Sequence, residues 1–217
     1  MRPSPALVLV GVAAACADRP QPSDPTPDGC TGWGDPQSID EVVARLDDLP
    51  ERSIPCVVQS LDRPVDVMAV ASVFSAQPGT WYSPRLFLFT DGLVLSVVPE
   101  GVGANLLELG EWVEVGRTSL KGELVFPLEE GPADPFGHLA YGDGTTCGQC
   151  HINEQPTDVE LAFVSEAIPP TLGSRVPLDD VWEQTQRCDD ATEPERCAIL
   201  RAVMGTNDVT DAVFPTP

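Results

Sequence analysis

Cys147-Gly148-Gln149-Cys150-His151 is the segment of this chain richest in groups that can do chemistry. In a helical turn, positions i, i+3 and i+4 face one way, so two thiols and an imidazole can converge on one object. Three chemistries use such a set. The first is a pair of thioether bonds to the vinyl groups of a haem, with the imidazole on the iron. The second is a structural disulfide or redox dithiol within the C-G-x-C core. The third is zinc, for which His138, Cys147, Cys150 and His151 are possible ligands. Adjacent Cys150 and His151 reach one tetrahedral ion poorly, which places zinc last.

The pentapeptide resembles the haem-attachment signature of the cytochrome c family, over these five residues and no further. The resemblance implies one covalent haem c, attached at Cys147 and Cys150, with His151 as the proximal iron ligand. A downstream methionine often completes the iron in that family. Met204 is therefore a candidate distal ligand, although it continues the apolar stripe of Cys197 and Leu200 and reads first as core. His138 is the alternative, and an open position that admits small ligands is a third. Small cytochromes c place a helix before the motif, whereas residues 127–146 here (PLEEGPADPFGHLAYGDGTT) are dense in Pro and Gly. A full cytochrome c fold is not expected.

Attachment of such a haem follows export, and the chain begins accordingly. Arg2 and the amino terminus give a positive start, and Ala6–Ala15 is an apolar run far short of the ~20 residues that span a bilayer. Ala13-Ala14-Ala15 then precede Cys16. This resembles the lipobox of bacterial lipoproteins, with Ala13 where leucine is commoner. It implies a signal peptide over 1–15, lipid on Cys16, and tethering at the periplasmic face of the outer membrane or the cell surface. Residues 16–29 hold Pro20, Pro22, Pro25 and Pro27 and read as an extended linker of roughly 40 Å. As a whole the chain resembles exported bacterial lipoproteins with a single such motif.

With Cys16 assigned to lipid and the motif pair set aside, Cys30, Cys56, Cys188 and Cys197 remain, an even set for an oxidising compartment. The pairing closest in sequence, Cys30–Cys56 and Cys188–Cys197, is preferred among the three possible.

Several elements must position these groups. Ser38 and Glu41 form a capping-box pair ahead of a helix that Pro50 ends. Cys56–Leu61 and Val65–Ser75 read as strands. Arg85–Val98 reads as a hairpin whose Asp91-Gly92 supplies a type I′ turn. Leu106–Val115 and Ser119–Leu128 add two more strands. Leu178, Val181, Trp182 and Thr185 share one helical stripe. Thr192 and Glu195 suggest a second capping box, with Gly205 as the stop. The expected class is α+β. Residues 30–128 would form a β-rich domain, a sandwich or partial barrel with one N-terminal helix, and 129–217 the loop-rich motif segment and C-terminal helices.

Composition narrows function further. Twelve basic against 34 acidic side chains leave a net charge of −22, which opposes nucleic-acid binding and suits a redox partner with a basic surface. No nucleophile elbow, H-E-x-x-H or P-loop is present. The sequence thus leads to an envelope-anchored monohaem electron carrier rather than a catalyst. The alternatives are an envelope protein with a β-rich binding domain and a structural CGQC disulfide, or a dithiol oxidoreductase.

Overall fold

The computed structural model describes residues 29–72, 75–205 and 208–216. The leader and residues 16–28 of the linker, Cys16 among them, lie outside the described residues. The chain forms α1 (Ile39–Leu46), α2 (Ile54–Gln59), β1 (Val65–Val70), β2 (Arg85–Phe89), β3 (Leu93–Val97), β4 (Leu106–Glu114) and β5 (Thr118–Val125). There follow the short β6 (Ala140–Tyr141), β7 (Gly144–Thr145), β8 (Gln155–Pro156), β9 (Phe163–Glu166) and β10 (Arg175–Val176). α3 (Leu178–Arg187), α4 (Pro194–Met204) and β11 (Val209–Asp211) complete it.

The class is α+β. The expected sandwich or partial barrel gives way to one nine-stranded sheet in the order β10-β1-β2-β3-β4-β5-β9-β8, with β11 also against β1. Among the described residues only the β1–β11 pairing is parallel. The strands need no second sheet because each face has another cover. Strand alternation sends Leu86, Leu88, Leu95, Val97, Leu107 and Leu124 to one face. There they pack with Ile39, Val42 and Leu46 of α1, Val57 of α2, Val181 and Trp182 of α3, and Leu200 and Val203 of α4. The opposite face carries Met68, Val70 and Phe87, closed over by Phe89, Val94 and Phe214. Strands β8 to β10 come from the C-terminal part of the chain and join the sheet built by the first five, so both parts of the sequence share one sheet.

Local chemistry explains most elements. Ser38 Oγ accepts the backbone N–H of Glu41 at 3.2 Å, and Glu41 reaches back to Gln37 N at 2.7 Å. Cys56–Leu61 is not a strand. Ser53 caps it and Pro55 sits in its first turn, so the apolar run winds into α2. The disulfide Cys30–Cys56 fixes that helix to the N-terminal coil. At the other end Cys188–Cys197 ties the end of α3 to α4. α4 starts on Pro194 without a side-chain cap, so Thr192 and Glu195 do not form the expected capping box. Gly205 does end it.

The hairpin β2–β3 forms with Phe89 opposite Val94, but its turn is not type I′, since neither Asp91 nor Gly92 has positive φ. Thr90 closes it, its N–H donating to Leu93 O at 2.9 Å while its Oγ1 accepts the Leu93 N–H at 3.1 Å. Glycine is required at 92 because a Cβ there would sit 2.2 Å from the Gln37 carbonyl oxygen.

Candidate functional site

The motif is one helical turn, Cys147–Gln149, running on to His151. The N–H groups of Cys150 and His151 both donate to the Cys147 carbonyl, at 3.1 and 2.8 Å. That is the turn the i, i+3, i+4 argument requires.

Its two ends are fastened separately. On the N-terminal side, Glu154 accepts the Thr145 backbone N–H at 2.9 Å and the Thr145 hydroxyl, which in turn accepts the Gly148 N–H at 3.3 Å. A Cβ at Gly148 would meet that carboxylate at 2.6 Å, so a larger residue as the first x of C-x-x-C would push the Glu154 carboxylate aside. On the C-terminal side, Glu166 at the end of β9 donates its N–H to Ile152 O at 3.2 Å and accepts Asn153 Nδ2 on its carboxylate. Asn153 itself turns the chain with φ 58°, a conformation asparagine tolerates better than most residues.

Glu166 also sets the imidazole. Its backbone carbonyl accepts Nδ1–H of His151 at 2.7 Å. This fixes the tautomer and leaves the Nε2 lone pair free. Among the described residues Nε2 has no hydrogen-bond partner. Burial first, and then the neighbouring Lys121 charge, push the His151 pKa down to about 4, so the ring is neutral at pH 7.

The two motif thiols are free, Cys147 half-buried and Cys150 exposed. Burial, followed by the Glu108 charge, pushes Cys147 up to about 11. A nucleophilic dithiol needs the opposite shift.

His151 and both thiols border a cavity of about 240 Å³ on the face of the sheet away from the helices. Its floor is the outward row of β2 to β5, notably Arg85, Ser96, Glu108, Trp112, Lys121 and Glu123. Its cover is the motif segment, Ala167–Ile168 and Phe214. The floor is polar and tightly bonded. Arg85 donates to Ser96 Oγ from Nε at 3.0 Å and from a second nitrogen at 2.8 Å, and it also contacts Ser75 and pairs with Glu108. Ser96 Oγ–H in turn donates to Gln77 Oε1 at 2.8 Å. Glu123 is raised, chiefly by burial and next by Glu108, and its oxygen lies 2.9 Å from His138 Nε2. Among the described residues Lys121 donates only to Ser119 Oγ, at 2.6 Å, and burial lowers it to about 8.

The structure brings together Cys147, Cys150 and His151, but not the two candidate distal ligands. Met204 is buried in the helix-packed core, on the other side of the sheet. His138 is occupied by Glu123 and does not line the cavity. Among the described residues, the one metal-ligand grouping of three is Cys188, Glu193 and Cys197, and its two cysteines are joined to each other. Sequence reading missed Lys121, Glu108 and Arg85 on the floor, and Glu154 and Glu166 as fasteners. The signal for the floor was the alternation Ser119, Lys121, Glu123, which reads equally well as a solvated face.

The chain matches no family model, no curated protein and no solved structure.

Proposed function

We propose that this protein carries one covalently attached haem and passes electrons at the cell envelope. The observation that carries the reading is His151: half-buried, neutral, held at Nδ1 by the Glu166 carbonyl, with Nε2 unpartnered among the described residues, and bordering one cavity together with two free thiols. Haem c supplies one-electron exchange at its iron when bound. The residues supply the rest. Cys147 and Cys150 would hold the haem through thioether links to its vinyl groups, and His151 Nε2 would bind its iron. Trp112, Phe87 and Phe214 keep water from the inner wall, and the bonded Arg85–Glu108 pair holds the floor rigid beneath it.

The donor set fits the group. The cavity is smaller than the ~300–1,000 Å³ usual for ligand pockets, so on this reading the porphyrin is enclosed only in part, with exposed Cys150 at the rim. An edge open to solvent suits electron exchange with a second protein. The acidic balance of the chain suits a partner with a basic surface.

Export and lipid attachment at Cys16 belong to the same proposal. They are supported by the leader, and by two disulfides paired as an oxidising compartment allows. No helix of the described residues is long and apolar enough to cross a membrane. A dithiol oxidoreductase is the weaker reading, because Cys147 is raised and not lowered.

The test is a mass measurement on protein exported in a host that attaches haem. The peptide holding Cys147 and Cys150 is expected to gain the mass of one haem, and the N-terminal peptide to begin at a lipidated Cys16. A motif peptide weighing only its amino acids overturns the haem.

A further inference from the structure

Two neighbouring aromatic side chains, Trp81 and Tyr82, each stand 57% exposed on a loop that the rest of the chain holds firmly. We propose that they form a docking site for a protein surface carrying arginines or lysines. The proposal rests on the basic-partner part of the reading above, names the surface that meets that partner, and does not require the haem.

The mount begins with the loop itself. Thr80 N–H donates to Ser83 O at 2.8 Å and Ser83 N–H to Thr80 Oγ1 at 2.9 Å, which closes a turn with the two aromatics at its tip. Ser83 Oγ donates to Glu100 O at 3.2 Å and accepts the Glu100 N–H at 3.0 Å, so the turn is fixed to the segment after β3. From the helices, Gln184 Nε2 of α3 donates to Trp81 O at 3.0 Å, and Arg196 Nη2 of α4 to Tyr82 O at 3.1 Å. The Arg196 side chain is 3% exposed, and its guanidinium lies 4.0 Å from the centre of the Tyr82 ring. The solvent-facing side of that ring is therefore the side away from Arg196. Folding either ring inward would bury a large apolar area. Here the hydrogen bonds fall on the backbone and keep both rings outside. A Trp–Tyr pair already held in place loses little conformational freedom on binding, which favours it as the centre of an interface.

Charge selects the occupant. Glu193 accepts the Tyr82 hydroxyl at 3.3 Å, Glu100 lies 3.6 Å from Arg196, and Asp180 is one helical turn from Gln184 on the same face of α3. The cations nearby are already matched. Arg196 is shared between Glu193 and Glu100, and Arg187, the other neighbour of Gln184 along α3, pairs with Glu183 at 3.0 Å. An aromatic face beside surplus carboxylates attracts a guanidinium or ammonium both through the ring quadrupole and through charge. It repels anionic lipid headgroups, and equally a second copy of so acidic a chain. Ser72, Ser75 and Ala76, earlier in the same loop, border the cavity beside the motif, so a partner seated here touches the loop that lines the candidate site.

Calorimetric titration of the full chain with a peptide of alternating glycine and arginine tests this, with a glycine–glutamate peptide and a chitin oligosaccharide as the contrasting probes. The wild type is expected to bind the arginine peptide and neither of the others. Trp81→Ala with Tyr82→Ala leaves the net charge unchanged and is expected to weaken binding on the order of tenfold. Trp81→Ala alone keeps the carbonyl that accepts Gln184 and is expected to show most of that loss, while Trp81→Phe regains most of it. These single variants guard against a loop that collapses when both rings are removed. Glu100→Gln with Asp180→Asn is expected to weaken binding more than Glu129→Gln with Glu130→Gln, an equal loss of exposed charge outside the patch. A double aromatic variant that binds as tightly as wild type, or equal effects of the two charge pairs, overturns the site and leaves the basic-partner reading standing. A wild type that ignores the arginine peptide, or takes the glutamate peptide or the oligosaccharide in its place, overturns the basic-partner reading and the site with it.

Discussion

Replacing His151 by Asn tests whether the imidazole is held neutral inside the fold, and it does so without haem. The amide nitrogen of Asn can take the place of Nδ1 and donate to the Glu166 carbonyl, so the bond is kept and the titration removed. In the wild type the folded-state pKa is about 4, against an unfolded value of about 6.5. The unfolded chain therefore binds the proton first as pH falls. Stability contributed by the neutral ring is present above about pH 6.5 and is lost progressively down to about pH 4. At pH 5 the unfolded imidazole is almost fully protonated and the folded one is not, which corresponds to about 2 kcal/mol of destabilisation relative to pH 7. The assay is urea unfolding at pH 7 and pH 5, on protein exported in a host without haem-attachment machinery. The wild type is expected to lose about 2 kcal/mol more than His151→Asn between the two pH values. Equal losses would show that His151 is not sequestered, and the argument for a poised Nε2 would fall with it.

Replacing both Cys30 and Cys56 by Ser opens a loop with a sequence separation of 26 residues, and chain entropy puts the loss at about 3.5 kcal/mol. Urea unfolding should show that loss as a lower midpoint, and an unchanged midpoint refutes the disulfide as a stabilising link. Gly92→Ala drives a Cβ to 2.2 Å from the Gln37 carbonyl. The cost should be about 2 kcal/mol, a fall in Tm on the order of 4–8 °C, and a Tm within 1 °C of wild type, about the precision of the measurement, refutes the close approach.

What could be read in advance was local. The helix at Ser38 follows from a capping pattern spread over four residues, and β2–β3 from two apolar arms around a short polar turn. Cys56–Leu61 was misread because a short apolar run looks the same in a buried helix and a buried strand. Ser53 and Pro55 were the deciding signals, and they sit before the run. The type I′ turn was wrong for a different reason. Asp-Gly is permissive of positive φ, but Gly92 was selected by a contact with residue 37, which no local pattern reveals. Arms apolar on both sides suggested a second sheet. A layer of helices on one side and a covering loop on the other satisfy the same pattern.

The site divides along the same line. Its thiol–imidazole turn is written contiguously in Cys147–His151, so spacing alone exposed it. Its floor is assembled from every second residue of β2 to β5, and each of those strands separately looks like an edge facing water. Only the return of residues 139–151 and 167–170 over that face converts the polar row into the base of a cavity. The same long-range geometry removes Met204. Its helix stripe is apolar and suits a ligand or a core equally well, but α4 packs on the opposite side of the sheet.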